Sequence, residues 1–130
     1  MMYRSPALSI GIHPRDLDYS RHPDIDEARL TALVEAGNAA LREAGFDVVS
    51  CLVPTDPDAA EAKLRETLAS GSFRVAMIGG GVRLSPENTL LFERVINVLI
   101  TVVPGIHLCF NTSPTTTIDA LRRWIQPTTH

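Results

Sequence analysis

The chain is short of several features that would place it at once. It has two cysteines in 130 residues, Cys51 and Cys109. Each sits inside an apolar, strand-like run, "VVSCLV" and "HLCF". Cys109 is not followed by the loop of a thiol phosphatase. With no Cys-x-x-Cys pair, both cysteines read as buried, reduced thiols. The chain also lacks a basic excess. Its net charge is -3, and the longest basic run is Arg122-Arg123. A nucleic-acid surface would show the opposite balance, so no nucleic-acid partner is expected, and the arginine pair reads as a solvated helix face. Long hydrophobic runs are missing as well. The best candidate, Val95 to Val103, is broken by Asn97 and Thr101. A membrane helix needs roughly 18 unbroken apolar residues. The apolar run in "MMYRSPALSIGIH" is too short for a signal peptide. A cytoplasmic protein with no membrane association is the expectation.

What remains is a globular composition. Hydrophobic residues make up 45% and charged residues 21%, which is too apolar for a disordered chain. There is no linker, no long repeat and no low-complexity segment beyond Thr115 to Thr117. Residues 1–130 therefore read as a single Rossmann-like domain.

Four strand-like segments alternate with four helical ones. The strands are Ala7 to Ile12, Asp47 to Val53, Phe73 to Ile78 and Ile106 to Phe110. The first helix runs from about Ile25 to Ala44. Leu30, Leu33, Val34, Leu41 and Ala44 mark its apolar face, Asp24 or Asp26 caps it, and Gly45 stops it. The second opens at Asp56-Pro57 and closes near Ser70-Gly71. The third runs from Pro86 to Val103 behind Ser85. The fourth opens at Ser113-Pro114 and ends near Gln126. In each of the last three, a capping residue precedes a proline whose missing N–H does no harm. The alternation predicts an α/β fold, a three-layer α/β/α sandwich on a four-stranded parallel sheet. Right-handed crossovers prune the topology, and the expected strand order is 2-1-3-4, flavodoxin-like or Rossmann-like.

In such sheets ligands bind beyond the carboxyl ends of the strands, where the winding direction switches, here between the first and third strands. Three segments converge there: "HPRDLDYSRHPD" after the first strand, "GGGVR" after the third and "NTSPTTT" after the fourth. Gly79, Gly80 and Gly81 allow a sharp turn that brings N–H groups to an anion, with Arg83 as a bidentate partner. Alternatively they only turn a corner against the neighbouring strand. Asn111, Thr112 and Ser113 offer amide and hydroxyl groups to a phosphate or carboxylate, or else serve as an ordinary cap. The long first loop, starting at His13, is either a lid carrying acid–base groups or a surface excursion. His13 and His22 lie in an irregular segment, so no metal site is expected.

Several chemistries are excluded. No Lys-Ser or Lys-Thr follows the glycines as in a Walker loop, and no Gly-x-Gly-x-x-Gly follows the first strand. Gly79 stands where a phospho-receiver needs its aspartate. Gly-x-Ser-x-Gly is absent, and neither cysteine lies at a strand-to-helix turn.

The stretches "VAMIGGGVRLSPENTLLFERVINVL" and "CFNTSPTTTIDALRRW" resemble a group of small uncharacterised bacterial conserved-hypothetical proteins. The likeness covers the C-terminal half, with a fainter match at "RDLDYS", and implies the same Rossmann-like fold. A weaker likeness is to molybdopterin-binding domains of cofactor biosynthesis, where a "GGTG" turn follows a strand. Here "GGGVRLSPEN" is similar to that turn, without its threonine or the aspartate that follows.

The expected function is the binding of an anionic small molecule, a nucleotide or phosphometabolite, at the carboxyl edge of the sheet. The alternatives are a small enzyme with the 13–24 loop as an acid–base lid, and an oligomeric interaction protein with an empty cleft. The 86–103 helix carries two apolar stripes, Leu91-Val95-Val98-Leu99-Val102 and Phe92-Ile96-Ile100-Val103. One stripe suffices to cover a sheet. The second predicts a homodimer through this helix, unless the fourth helix or the tail 127–130 covers it.

Overall fold

The computed structural model describes residues 6–125. The expected end of the last helix at Gln126 and the tail 127–130 lie outside them. The strands β1 (Ala7–Ile12), β2 (Val48–Val53), β3 (Val75–Ile78) and β4 (His107–Phe110) form one parallel sheet in the order β2-β1-β3-β4. Ile10 stands beside Cys51 on one side and Ile78 on the other, and Ile78 stands beside Phe110. All four residues of β3 are buried, as a central parallel strand covered on both faces requires.

Strand alternation sorts the core into two halves. Leu8, Ile10, Cys51, Val53, Ala76 and Ile78 face α2 (Pro57–Ala69) and α4 (Thr89–Val102). Ala7, Val75, Met77 and Cys109 face α1 (Glu27–Glu43) and α5 (Thr117–Arg122). The result is the expected three-layer sandwich.

The helix starts follow their caps. Asp26 Oδ1 accepts the Arg29 N–H at 2.8 Å, and Asp56 Oδ2 accepts the Ala59 N–H at 2.9 Å. Gly45 ends α1 at φ 87°, and the Phe46 N–H returns to the Leu41 carbonyl at 2.9 Å. The third helix departs from expectation. Ser85 makes no side-chain cap, Pro86–Asn88 is a 3-10 turn, and the α-helix starts only at Thr89. The Asn88 N–H closes on the Ser85 carbonyl at 2.9 Å, a tighter i→i+3 arrangement that leaves the serine hydroxyl no role. Pro114–Thr116 likewise forms a 3-10 turn before α5, and the α-helix ends at Arg122.

The glycine run is not a turn. Gly79 is extended, with φ -70° and ψ 156°, and Gly80–Arg83 forms a single helical turn, α3. Among the described glycines only Gly45 and Gly105 have positive φ. Close approach is what requires glycine here. A Cβ on Gly79 would lie 3.2 Å from the Ile10 carbonyl oxygen, and one on Gly80 would lie 3.1 Å from that of Thr112.

The second stripe of α4 is largely covered within the chain, by α2. Phe92, Ile96 and Val103 are half-buried against the core shared with α2. Arg94 ties the two helices, its Nη1 lying 2.8 Å from Asp58 Oδ1 and 3.0 Å from Glu61 Oε1. The last helix sits on the opposite face. Leu90, Ile100 and Val102 stay exposed, at 68%, 47% and 38%. Among the described residues, no helix is long and apolar enough to cross a membrane.

Candidate functional site

The glycine segment and the Asn111 turn meet, as their places on adjacent strands dictate. Asn111, on the first residue past β4, is buried. Its Oδ1 accepts the Gly80 N–H at 2.9 Å, and its Nδ2 donates to Thr117 Oγ1 at 2.7 Å. Arg83 Nη2 donates to the Asn111 carbonyl at 2.8 Å, and its guanidinium lies 5.1 Å from the centre of the Phe110 ring. Arg83 Nε is buried with no acceptor. The N–H groups of Thr112 and Ser113 both donate to Thr116 Oγ1, at 2.9 and 3.2 Å. The Gly79 N–H donates to the Ile10 carbonyl at 2.8 Å, and the Gly81 carbonyl accepts from Asn88 Nδ2 at 3.1 Å.

The structure therefore gathers Gly79, Gly80, Gly81, Arg83, Asn111, Thr112 and Ser113 in one corner. Of the glycine amides expected to face an anion, that of Gly80 is engaged by the Asn111 side chain, and the amides of Thr112 and Ser113 are engaged by Thr116. His13 does not join them. Its Nδ1 accepts the Arg15 N–H at 3.2 Å, which caps a 3-10 turn at Pro14–Asp16.

The neighbouring cleft was not foreseen. A cavity of about 110 Å³ lies between α1 and the sheet and reaches the carboxyl ends of β1 and β3. Ser9 and Ser50 line it from the sheet, Asn38 lines it from α1, and Gly79, Gly80 and Asn111 close one end. Among the described residues, none that lines it is charged. Ser9 and Asn38 are half-buried and Ser50 is exposed. Their side chains have no hydrogen-bond partner among the described residues.

The cavity exists because this face of β1 reads Ala7, Ser9, Gly11, and β2 adds Ser50. None of these fills the space a Val or Ile would. Nor does α1 press down: of its 17 residues only Leu41 is buried. The signal was present in the sequence, as small or hydroxylated residues at every second position. It is a weak one, because it becomes informative only once the strands are paired.

A second opening, of about 290 Å³, lies at the carboxyl edge between the first loop and Glu87-Asn88. Asp16, Asp18 and Glu87 line it. Arg21 Nε stands 3.5 Å from Asp18 Oδ2 and 3.7 Å from Glu87 Oε1, and so bridges the loop to the turn. Hydrogen bonds from Ser20 hold the Asp18 carboxyl below its usual range. The Tyr19 hydroxyl donates to the Pro14 carbonyl. The long loop is thus two short 3-10 turns laced to themselves. Both thiols are buried; burial pushes Cys51 up, and Cys109 to about 11.

A parallel sheet of order 2-1-3-4 with helices on both faces is consistent with a flavodoxin-like fold. No protein family, curated protein or solved structure matches the chain. The likenesses noted in the C-terminal half rest on their motifs alone.

Proposed function

We propose that this domain binds a small molecule at the carboxyl edge of its sheet, in the cleft that α1 closes over β1 and β2. One observation carries the reading: Ser9, Asn38 and Ser50 line a cleft, and their side chains have no hydrogen-bond partner among the described residues. Polar groups that line a cleft open at Ser50 are satisfied by water, which a ligand with matching groups can displace. The position also agrees with where parallel α/β sheets take their ligands. A thermal-shift screen of the full chain against neutral metabolites, nucleotides and phosphorylated metabolites tests it. A stabilising compound whose effect disappears in Ser50→Leu, which fills the cleft from an exposed position, supports the reading. An effect that survives Ser50→Leu rejects this cleft.

An anionic ligand, a nucleotide or phosphometabolite, has a narrower support. Among the described residues, Arg83 has no carboxylate partner, and its Nε is buried without an acceptor. Loss of a phosphate-dependent shift in Arg83→Ala is the outcome that reading requires. An enzyme with the 13–24 loop as an acid–base lid has less, because Arg21 already pairs with Asp18 and Glu87.

Self-association through α4 is a second reading, favoured by the exposure of Leu90, Ile100 and Val102 on one helix. Sedimentation decides it. A dimer split by Ile100→Glu with the fold kept supports it, and a monomer at micromolar concentration rejects it.

A further inference from the structure

We infer that the ligand of the α1 cleft is an uncharged molecule of about single-ring size, bearing hydroxyl or carboxamide groups. This rests on the reading of that cleft as the binding site, and adds the class of ligand and the element that holds it.

Charge comes first. Among the described residues, no side chain lining the cleft is ionisable. A charged group drawn under α1 would lose its water and find no counter-charge, and that is strongly unfavourable. Backbone amides do not take the place of a cation. Those of Gly80, Thr112 and Ser113 already donate to Asn111 and Thr116. The nearby guanidinium of Arg83 is turned to the Asn111 carbonyl and the Phe110 ring instead of lining the cleft.

Donor and acceptor chemistry comes next. A serine hydroxyl and an asparagine amide each both donate and accept. A ligand that satisfies Ser9, Asn38 and Ser50 together must also do both, as hydroxyls and carboxamides do. Asn111 and Thr117 at one end are bonded to each other, and the remaining side chains of the lining are apolar, among them Leu30 and Val34 from α1 and Leu52 and Met77 from the sheet. The ligand therefore pairs a polar edge with hydrocarbon faces. Size is the third limit. The cavity of about 110 Å³ lies far below the roughly 300–1,000 Å³ of drug-sized sites, and near that of an engineered cavity known to hold a benzene ring.

The element that holds the ligand follows from packing. Because α1 buries only Leu41, a molecule bridging Asn38 to Ser9 and Ser50 adds contacts the helix now lacks. Binding should fasten α1 to the sheet.

Titration of the full-length, isotope-labelled chain tests this. The probes are myo-inositol and nicotinamide as neutral ligands, and AMP and inorganic phosphate as anionic ones. A neutral probe is expected to shift the amide signals of Ser9, Asn38 and Ser50 and to slow hydrogen exchange along α1. The anionic probes are expected to leave them in place. Asn38→Ala, at a position with no side-chain hydrogen-bond partner among the described residues, should keep the fold and weaken the neutral probe about tenfold, the scale of one lost hydrogen bond. If AMP or phosphate moves these signals while the neutral probes do not, the ligand class is wrong and the cleft stands. If every probe leaves these three signals unmoved up to its solubility limit, both the class and the cleft are overturned.

Discussion

The side-chain oxygen of Asn111 accepts the backbone N–H of Gly80 at 2.9 Å, across a sequence separation of 31 residues. With its other amide atom on Thr117, Asn111 locks the end of β4 to the start of α3 and to the start of α5. Asn111→Ala leaves the Gly80 N–H and the Thr117 hydroxyl short of a partner in a buried corner. A loss of about 1–3 kcal/mol for each group is expected. Urea denaturation measures it. A midpoint within error of the parent would mean that the corner holds without this side chain.

The three glycines should not be equivalent. At Gly80, a Cβ would press on the Thr112 carbonyl and Leu84 Cδ1 at 3.1 and 3.2 Å, and at Gly79 on the Ile10 carbonyl at 3.2 Å. Gly79→Ala and Gly80→Ala are expected to cost about 1–3 kcal/mol through overpacking. At Gly81 the nearest atom is Ile12 Cδ1 at 3.8 Å, and the backbone is already helical. Gly81→Ala should be neutral, or stabilising by about 0.4–1 kcal/mol, by narrowing the unfolded ensemble. Thermal melts of the three variants give the ranking, and an equal loss in all three would refute the steric account.

The thiols should be inert and should set an alkaline limit on stability. Burial raises Cys109 from the ordinary 9.0 to about 11. A raised acid pKa means the fold favours the protonated thiol. Its contribution is complete below 9.0 and is lost as pH rises through about 11. Stability should decline over that window, and less steeply in Cys109→Ala. Native protein should react slowly with a thiol-specific disulfide reagent at neutral pH, and quickly once unfolded.

Arg94 joins α4 to α2 through Asp58 and Glu61. Hydrogen bonds from Arg65, and then from Arg94, lower the Glu61 pKa. A depressed carboxylate pKa gives stability that is present above the ordinary 4.5 and lost as pH falls through the folded value. Arg94→Ala should lower the melting temperature at neutral pH, and the gap should close in acid and in high salt. A gap that persists in acid would assign the effect to packing of the arginine stem instead.

The order of elements was legible because it depends on local chemistry. Asp26, Asp56 and Gly45 mark helix ends by hydrogen bonds and backbone geometry within a few residues. The strands Ala7–Ile12 and Val48–Val53 announce themselves by apolar, β-branched runs. From that alternation the handedness of crossovers left few topologies, and the expected order 2-1-3-4 is the one the sheet adopts. The meeting of Gly79 to Arg83 with Asn111 to Ser113 was also legible, since both segments leave adjacent strands at the same edge.

What each residue does there was decided by tertiary contact. Asn111 and Thr116 hold amides that sequence alone would leave open to an anion, and α2, distant in the chain, covers most of the second stripe on α4. The cleft under α1 is a difference between two packed surfaces. Ser9 and Ser50 share its lining only because β1 and β2 pair in a register that sets them side by side, and the space above stays open because α1 buries only Leu41 against them. Local sequence sets the dihedral angles and the caps. A cavity is a gap left by side chains from five separate segments, and no one segment carries its signal.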